Sequence, residues 1–115
     1  MDLSIVIVSW NTAELLEDCL RSVEAAIEDL DCRVIVVDNA SADGSADMAE
    51  TNFPAVQLIR SSVNLGFAGG NNLGIRACAP DSPYILLLNS DTVVQLGALK
   101  ALVRFMDEHP DTGVC

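Results

Sequence analysis

The apolar positions fall into four short runs, separated by stretches in which they recur at helical spacing. Leu3 to Ser9 is continuous, apolar and rich in β-branched residues, the pattern of a strand buried on both faces and therefore central in a parallel sheet. Asn11 or Thr12 can cap a helix with Leu15, Leu16, Cys19, Leu20, Val23, Ile27 and Leu30 on its inner face, and Glu14 is placed for a capping-box-like start. That helix is predicted to run to about Leu30. Val34 to Val37 reads as a second buried strand ending at Asp38, followed by the turn residues Asn39, Ser41, Asp43 and Gly44 and a short helix to about Asn52. Val56 to Ile59 is a third strand. A Gly- and Asn-rich loop, Ser61 to Asn72, then leads to a helix from about Asn71 to Cys78, closed by Pro80 and Pro83. Tyr84 to Leu88 is the fourth strand, and a final helix places Leu96, Leu99, Leu102, Val103 and Met106 inward as far as His109 and Pro110.

Strands alternating with helices at this spacing predict an α/β chain: an open, mostly parallel sheet, right-handed crossovers and helices on both faces. With 115 residues, half of them apolar, the whole chain 1–115 is expected to form a single domain. No internal repeat or low-complexity segment interrupts the order.

Ligands of such sheets bind beyond the carboxyl ends of the strands, which directs attention to the residues that follow each run. These are Ser9-Trp10-Asn11, Asp38-Asn39-Ala40-Ser41, the segment Asn64 to Asn72, and Asn89-Ser90-Asp91. Asp38 can accept hydrogen bonds from a base N–H or a ribose hydroxyl, or it can cap its own turn. Asp91 can hold Mg²⁺ or Mn²⁺ while phosphates complete the shell, or it can cap the last helix. Trp10 can stack on a base or form a partly buried wall. The run from Asn64 to Gly74 can cradle a donor with its glycine backbone at a helix N-terminus, or only turn the chain. It is not a dinucleotide fingerprint, which belongs after the first strand, where this chain has Ser9-Trp10-Asn11-Thr12.

Charge narrows the function classes. Seventeen acidic against six basic residues give a net charge of −11, with no basic patch to meet a nucleic acid. A diphosphate bound by so acidic a chain needs helix N-termini, backbone N–H groups or a cation. The run Ile5 to Val8 is too short for a signal peptide or a membrane span, so a soluble cytoplasmic chain is expected, membrane-peripheral at most in the intact protein. Cys19, Cys32, Cys78 and Cys115 lack zinc-ligand spacing and read as reduced thiols. His109 reads as a helix-end cap, and one histidine so placed gives no nucleophilic triad. The absence of a basic glycine loop after strand one counts against a nucleotidyltransferase.

Taken together, SIVIVSWNTAELLEDCLRSV, VIVVDNASADGSADM, NLGFAGGNNLGI and YILLLNSDTVV resemble, in order and spacing, the motifs of family 2 glycosyltransferases, especially rhamnosyltransferase-like members of cell-envelope polysaccharide biosynthesis. The resemblance spans nearly the whole chain. It implies a GT-A fold, of which this would be the nucleotide-binding half, with a nucleotide-diphosphate sugar of UDP or dTDP type as donor and a saccharide or lipid-linked acceptor. Ser9, Trp10, Asn11 and Asp38 would line the base and ribose, and Gly69, Gly70, Asn71, Asn89 and Ser90 complete the candidate nucleotide-binding set. Asp91 would be the last acidic residue of the family's D-x-D motif, holding a divalent cation, with Asn89 standing at the motif's first acidic position. The general base would lie in a later, C-terminal half outside this chain, leaving this chain little activity of its own and an exposed face for self-association. The alternative is a module that binds a nucleotide or a protein without chemistry.

Overall fold

A computed structural model describes residues 2–78, 80 and 82–115, and it bears out the alternation of strands and helices. The elements are β1 (Leu3–Ser9), α1 (Ala13–Ile27), β2 (Cys32–Asn39), α2 (Ser45–Asn52), β3 (Gln57–Ser61), α3 (Gly66–Arg76), β4 (Ile85–Asn89) and α4 (Ala98–Glu108). The four strands form one sheet in the order β3-β2-β1-β4, and every pairing is parallel. The strand read as central lies between β2 and β4 and is buried along almost its whole length.

Side chains alternate across the sheet, so each strand serves two faces. Leu3, Ile5 and Ile7 of β1 join Val34 and Val36 of β2 on one face, under Leu16, Cys19, Leu20 and Val23 of α1, Ala49 of α2 and Leu99 of α4. Val6 and Val8 point the other way, toward α3. This division follows from the strand order. The chain steps outward from β1 to β3 and then returns across the sheet to β4, so crossovers of one hand place α1 and α2 on one face and α3 on the other.

Four expectations are corrected. Helix α3 begins at Gly66, so the glycine run is helix rather than loop. An alanine Cβ at Gly70 would lie 2.8 Å from Val8 Cγ1, and one at Gly74 would meet Val6 closer than 3.0 Å. The glycines thus let helix backbone lie directly on valine side chains, a contact that outweighs glycine's poor helix propensity. The first helix stops at Ile27, with Leu30 beyond its end. Its N-cap, Thr12, makes no capping bond with its side chain, so the capping box does not form. In the last helix Leu99 is the buried anchor, whereas Leu96 precedes the helix and is 74% exposed.

The sheet is covered on both faces at β1 and β2 but not at β4. There Ile85 and Leu87, on the α3 side, are 44% and 47% exposed, and an apolar surface at the sheet edge results. No helix among the described residues is long and apolar enough to cross a membrane.

Candidate active site at the carboxyl edge of the sheet

Strand order reverses at β1, which has β2 on one side and β4 on the other, and open α/β sheets bind ligands in the crevice beyond the carboxyl ends of the strands at such a reversal. Register brings the candidates together. Ser9 stands opposite Asp38 across the β1–β2 pair, and Val8 stands opposite Asn89 across the β1–β4 pair. Ser9 Oγ lies 2.9 Å from Thr12 Oγ1, which lies 3.1 Å from Ser90 Oγ, a line of hydroxyls joining the ends of β1 and β4 through the start of α1. Thr12 spends its hydroxyl on this line rather than on its own helix.

Asp38 is 4% exposed. One carboxylate oxygen, Oδ2, accepts from the Ser41 backbone N–H at 3.1 Å, and the other, Oδ1, is buried without a hydrogen-bond partner. The turn-capping role is therefore real but accounts for half of the carboxylate. A buried acceptor left unpaired costs about 1–3 kcal/mol, so Asp38 holds a binding capacity that the fold itself does not use.

Trp10 follows β1 and is 54% exposed at the mouth of the crevice. The next residue, Asn11, sits at φ 50° with its side-chain oxygen accepting from the Ala42 backbone N–H at 2.8 Å. The Asn11 amide oxygen is thus already engaged by the neighbouring loop. Asp91 is exposed just beyond β4. It does not cap α4, whose N-cap is Gly97. Among the described residues no three His, Cys, Asp or Glu side chains gather as a metal centre. A cation at Asp91 would need its remaining ligands from a bound phosphate.

Gly70 and Asn71 are buried in α3, and Gly69 is half-buried beside them. The start of α3 is pinned by Asn39 at the end of β2. Its side chain donates from Nδ2 to the Gly66 carbonyl at 2.9 Å and accepts at Oδ1 from the Leu65 N–H at 3.1 Å. Of the residues that hold these loops, sequence reasoning read Asn39, Ser41 and Asp43 as turn chemistry and Thr12 as a helix cap, and assigned none of them a partner in another loop. The signal was their clustering immediately after strands.

Beneath the crevice, burial raises the Cys19 thiol, Asp91 adds to the rise, and contact with Thr92 opposes it. Hydrogen bonding from Ser45 holds the Asp43 carboxyl below its ordinary range. Arg60 is committed to Asp47 and Glu50, and Lys100 to Glu28 and Asp29. His109 ends α4, with Nδ1 2.8 Å from the Phe105 carbonyl and its ring stacked on that phenyl group, as its helix-end reading requires. A groove of about 630 Å³ runs elsewhere, at the amino end of β4, lined by Ile85, Leu87, Leu102, Met106 and Val114. Its apolar walls are remote from Asp38 and Asp91.

The sequence from residue 4 to 115 matches the family model described as Glycosyl transferase family 2. The chain belongs to this family. Relatives within it include the abequosyltransferase RfbV of Salmonella typhimurium, 30% identical over all of this chain and 35% of its own length. The N-acetylglucosaminyl-diphospho-decaprenol L-rhamnosyltransferase of Mycobacterium tuberculosis is 28% identical over 96% of this chain and 39% of its own length. The chain thus spans somewhat over a third of these two family members. Among solved structures, S. aureus TarS 1-349 in complex with UDP superposes with a TM-score of 0.82 at 22% identity, over 96% of this chain and 33% of that one. The mannosyltransferase PcManGT from Pyrobaculum calidifontis, in complex with GDP-Man and Mn²⁺, superposes at 0.77 and 20% identity, over 90% and 32%. The fold is that of GT-A glycosyltransferases, and the family reading of the sequence stands.

Proposed function

We propose that this chain, read as one domain, is the donor-binding part of a glycosyltransferase that moves a sugar from a nucleoside diphosphate to an acceptor hydroxyl. The observation that carries this is the unpaired, buried Oδ1 of Asp38 at the carboxyl edge of the sheet. A base N–H or a ribose hydroxyl would supply the missing donor. Family membership supports the transferase class, and the solved neighbours bound to UDP, UDP-GlcNAc and GDP-Man support a sugar nucleotide as ligand. Trp10 offers an exposed ring face for the base, with Asn11 and Ser90 beside it and Ser9 buried beneath them. Gly70 and Asn71 are buried in α3 and shape this edge from behind, Gly69 is half-buried beside them, and Asn89 is exposed at the end of β4.

In the reaction, an acceptor oxygen forms a bond to the anomeric carbon as the bond from that carbon to the diphosphate breaks, and the acceptor proton passes to a base. That base is assigned to a part of the enzyme beyond these residues, since the chain spans about a third of its relatives' length. This chain's contribution is to hold and orient the donor, which is worth orders of magnitude in rate only when an acceptor is held as well. A divalent cation, Mg²⁺ or Mn²⁺, would stabilise charge on the departing diphosphate, with Asp91 as its carboxylate ligand. One exposed carboxylate gives weak affinity without nucleotide, so cation and diphosphate should bind together.

The acceptor is a saccharide or a lipid-linked acceptor, in keeping with the N-acetylglucosaminyl-diphospho-decaprenol in the name of one relative, and the site of action is the cytoplasm or its membrane surface. The exposed Ile85 and Leu87 give this chain a face for self-association, which concentration-dependent size-exclusion elution would reveal. The test of donor binding is calorimetric titration with UDP, dTDP and GDP, each with and without Mn²⁺, on the chain and on Asp38→Ala and Asp91→Ala. Binding lost in the first variant, and its metal dependence lost in the second, is expected. A folded chain that takes none of the three nucleotides would sink the reading and favour a module that binds a protein instead.

A further inference from the structure

The loops after β1 and β2 carry the residues assigned to the base, and each contains a non-glycine residue in the left-handed region, Asn11 at φ 50° and Ala40 at φ 63°. Such backbone is unfavourable and persists where surrounding bonds hold it. Here the bonds run between the two loops. The Asn11 N–H donates to Ser41 Oγ at 2.9 Å, the Ala42 N–H donates to Asn11 Oδ1 at 2.8 Å, and the Ala13 N–H donates to Asp43 Oδ2 at 3.0 Å. Ala13 opens α1, so Asp43 supplies from a neighbouring loop the acceptor that Thr12 does not give its own helix. The other oxygen of Asp43 accepts from the Ser45 N–H at 3.0 Å and from the Ser45 hydroxyl, anchoring the carboxylate to the start of α2. One carboxylate therefore ties the first turns of two helices together across the edge of the crevice.

We propose that Asp43 is a positioning residue that locks the β1 and β2 loops into one rigid wall and so presets Trp10 before a ligand arrives. Its consequence for affinity rests on the donor-binding reading, whereas its consequence for Trp10 does not. Asp43 has no need to touch the donor. Trp10 lies one residue from Asn11, and the bonds of Asn11 depend on Ser41 and Ala42 staying where Asp43 holds their loop. With the lock open, ligand binding must also order the loop, and affinity falls by that ordering cost.

Trp10 is the chain's sole tryptophan, so its fluorescence reads the lock without a ligand. Time-resolved anisotropy would be recorded on the 115-residue chain and on Asp43→Ala, Asp43→Asn and Asp47→Ala, with UDP titrations in parallel. Asp43→Ala is expected to raise the amplitude of nanosecond depolarisation about twofold and to weaken UDP binding about fivefold to tenfold. Asp43→Asn keeps one acceptor oxygen and falls between. Asp47→Ala, which loses only an exposed pairing with Arg60, should match the parent. Unchanged Trp10 anisotropy in folded Asp43→Ala, or an equal change in Asp47→Ala, would overturn the proposal. Should Asp43→Ala not fold, Ser41→Ala removes the acceptor for Asn11 and is read the same way. If Trp10 loosens but the parent chain takes no UDP, the donor-binding reading fails and the lock stands.

Discussion

Replacing Gly74 with alanine sets two effects of opposite sign against each other. Gly74 lies inside α3, where alanine gains about 1 kcal/mol over glycine in helix propensity. Its added methyl group, however, would meet Val6 Cγ1 closer than 3.0 Å, with Val37 Cγ2 at 3.3 Å and Val6 Cβ at 3.4 Å. Val6 and Val37 are both fully buried, and a β-branched side chain has few alternative rotamers, so neither valine can move aside cheaply. Overpacking of this kind costs typically about 1–3 kcal/mol and more where backbone must shift, as α3 would have to here. The clash wins, and net destabilisation of about 1–2 kcal/mol is expected, or roughly 4–8 °C in Tm for a chain of this size. Calorimetric or circular-dichroism melts of Gly74→Ala would measure it, with Gly113→Ala, whose new methyl meets nothing within 4 Å, as the neutral control. The cycle with Val6→Ala isolates the cause, because removing the obstructing methyl groups should make the double variant more stable than the sum of the singles predicts. A Tm for Gly74→Ala above that of the parent would show that propensity decides at this position and that α3 does not rest on the valines.

Two further outcomes follow from individual side chains. Asp38→Asn keeps the acceptor for the Ser41 N–H but removes the unpaired buried charge, so the free chain should melt at the same temperature or slightly higher, while UDP binding weakens tenfold or more; a fall of over about 2 kcal/mol in stability would mean that the carboxylate serves the fold. Burial, reinforced by Asp2 and Asp31, pushes the Cys32 thiol up to about 11, so at pH 8 a thiol reagent should modify exposed Cys115 far sooner than Cys32. Because the folded chain holds that proton more tightly, the associated stability is complete below the ordinary thiol value and lost as pH rises from roughly 8.5 toward about 11. Equal labelling rates, or no alkaline loss specific to the parent over Cys32→Ala, would contradict this.

How much of the site was legible depended on whether backbone or side chain carried the signal. Ser9, Asp38 and Asn89 became candidates because a polar residue ending an apolar strand is conspicuous, and parallel register brings those ends to one edge. The bonds of Thr12, Asn39 and Asp43 were not legible because their partners lie about 30 to 80 residues away, at Ser90, Leu65, Gly66 and Ala13. Sequence position shows that such residues favour turns, but not which neighbouring loop receives the bond. An exposed face was expected, but not its place on β4, since Tyr84 to Leu88 is as apolar as a fully buried strand.

The glycine run shows the opposite case, a signal that was present and outweighed. Glycine content argues for a loop, but Gly70 and Gly74 stand four residues apart, the spacing of one helical face. A face made of glycine can bury nothing itself, so it is useful only where another surface presses close, and Val6 and Val8 of the central strand are that surface. The same packing limits what the segment can do for a donor. The backbone of Gly70 is turned to the sheet, and Asn39 already holds Leu65 and Gly66. The N–H groups of its first turn remain one route from α3 to a bound diphosphate, and the glycine face helps to set how close that turn lies to the crevice. Substitution at Gly70, whose added Cβ would lie 3.1 Å from the Asn39 amide nitrogen, should therefore disturb donor binding even though the glycine is turned to the sheet.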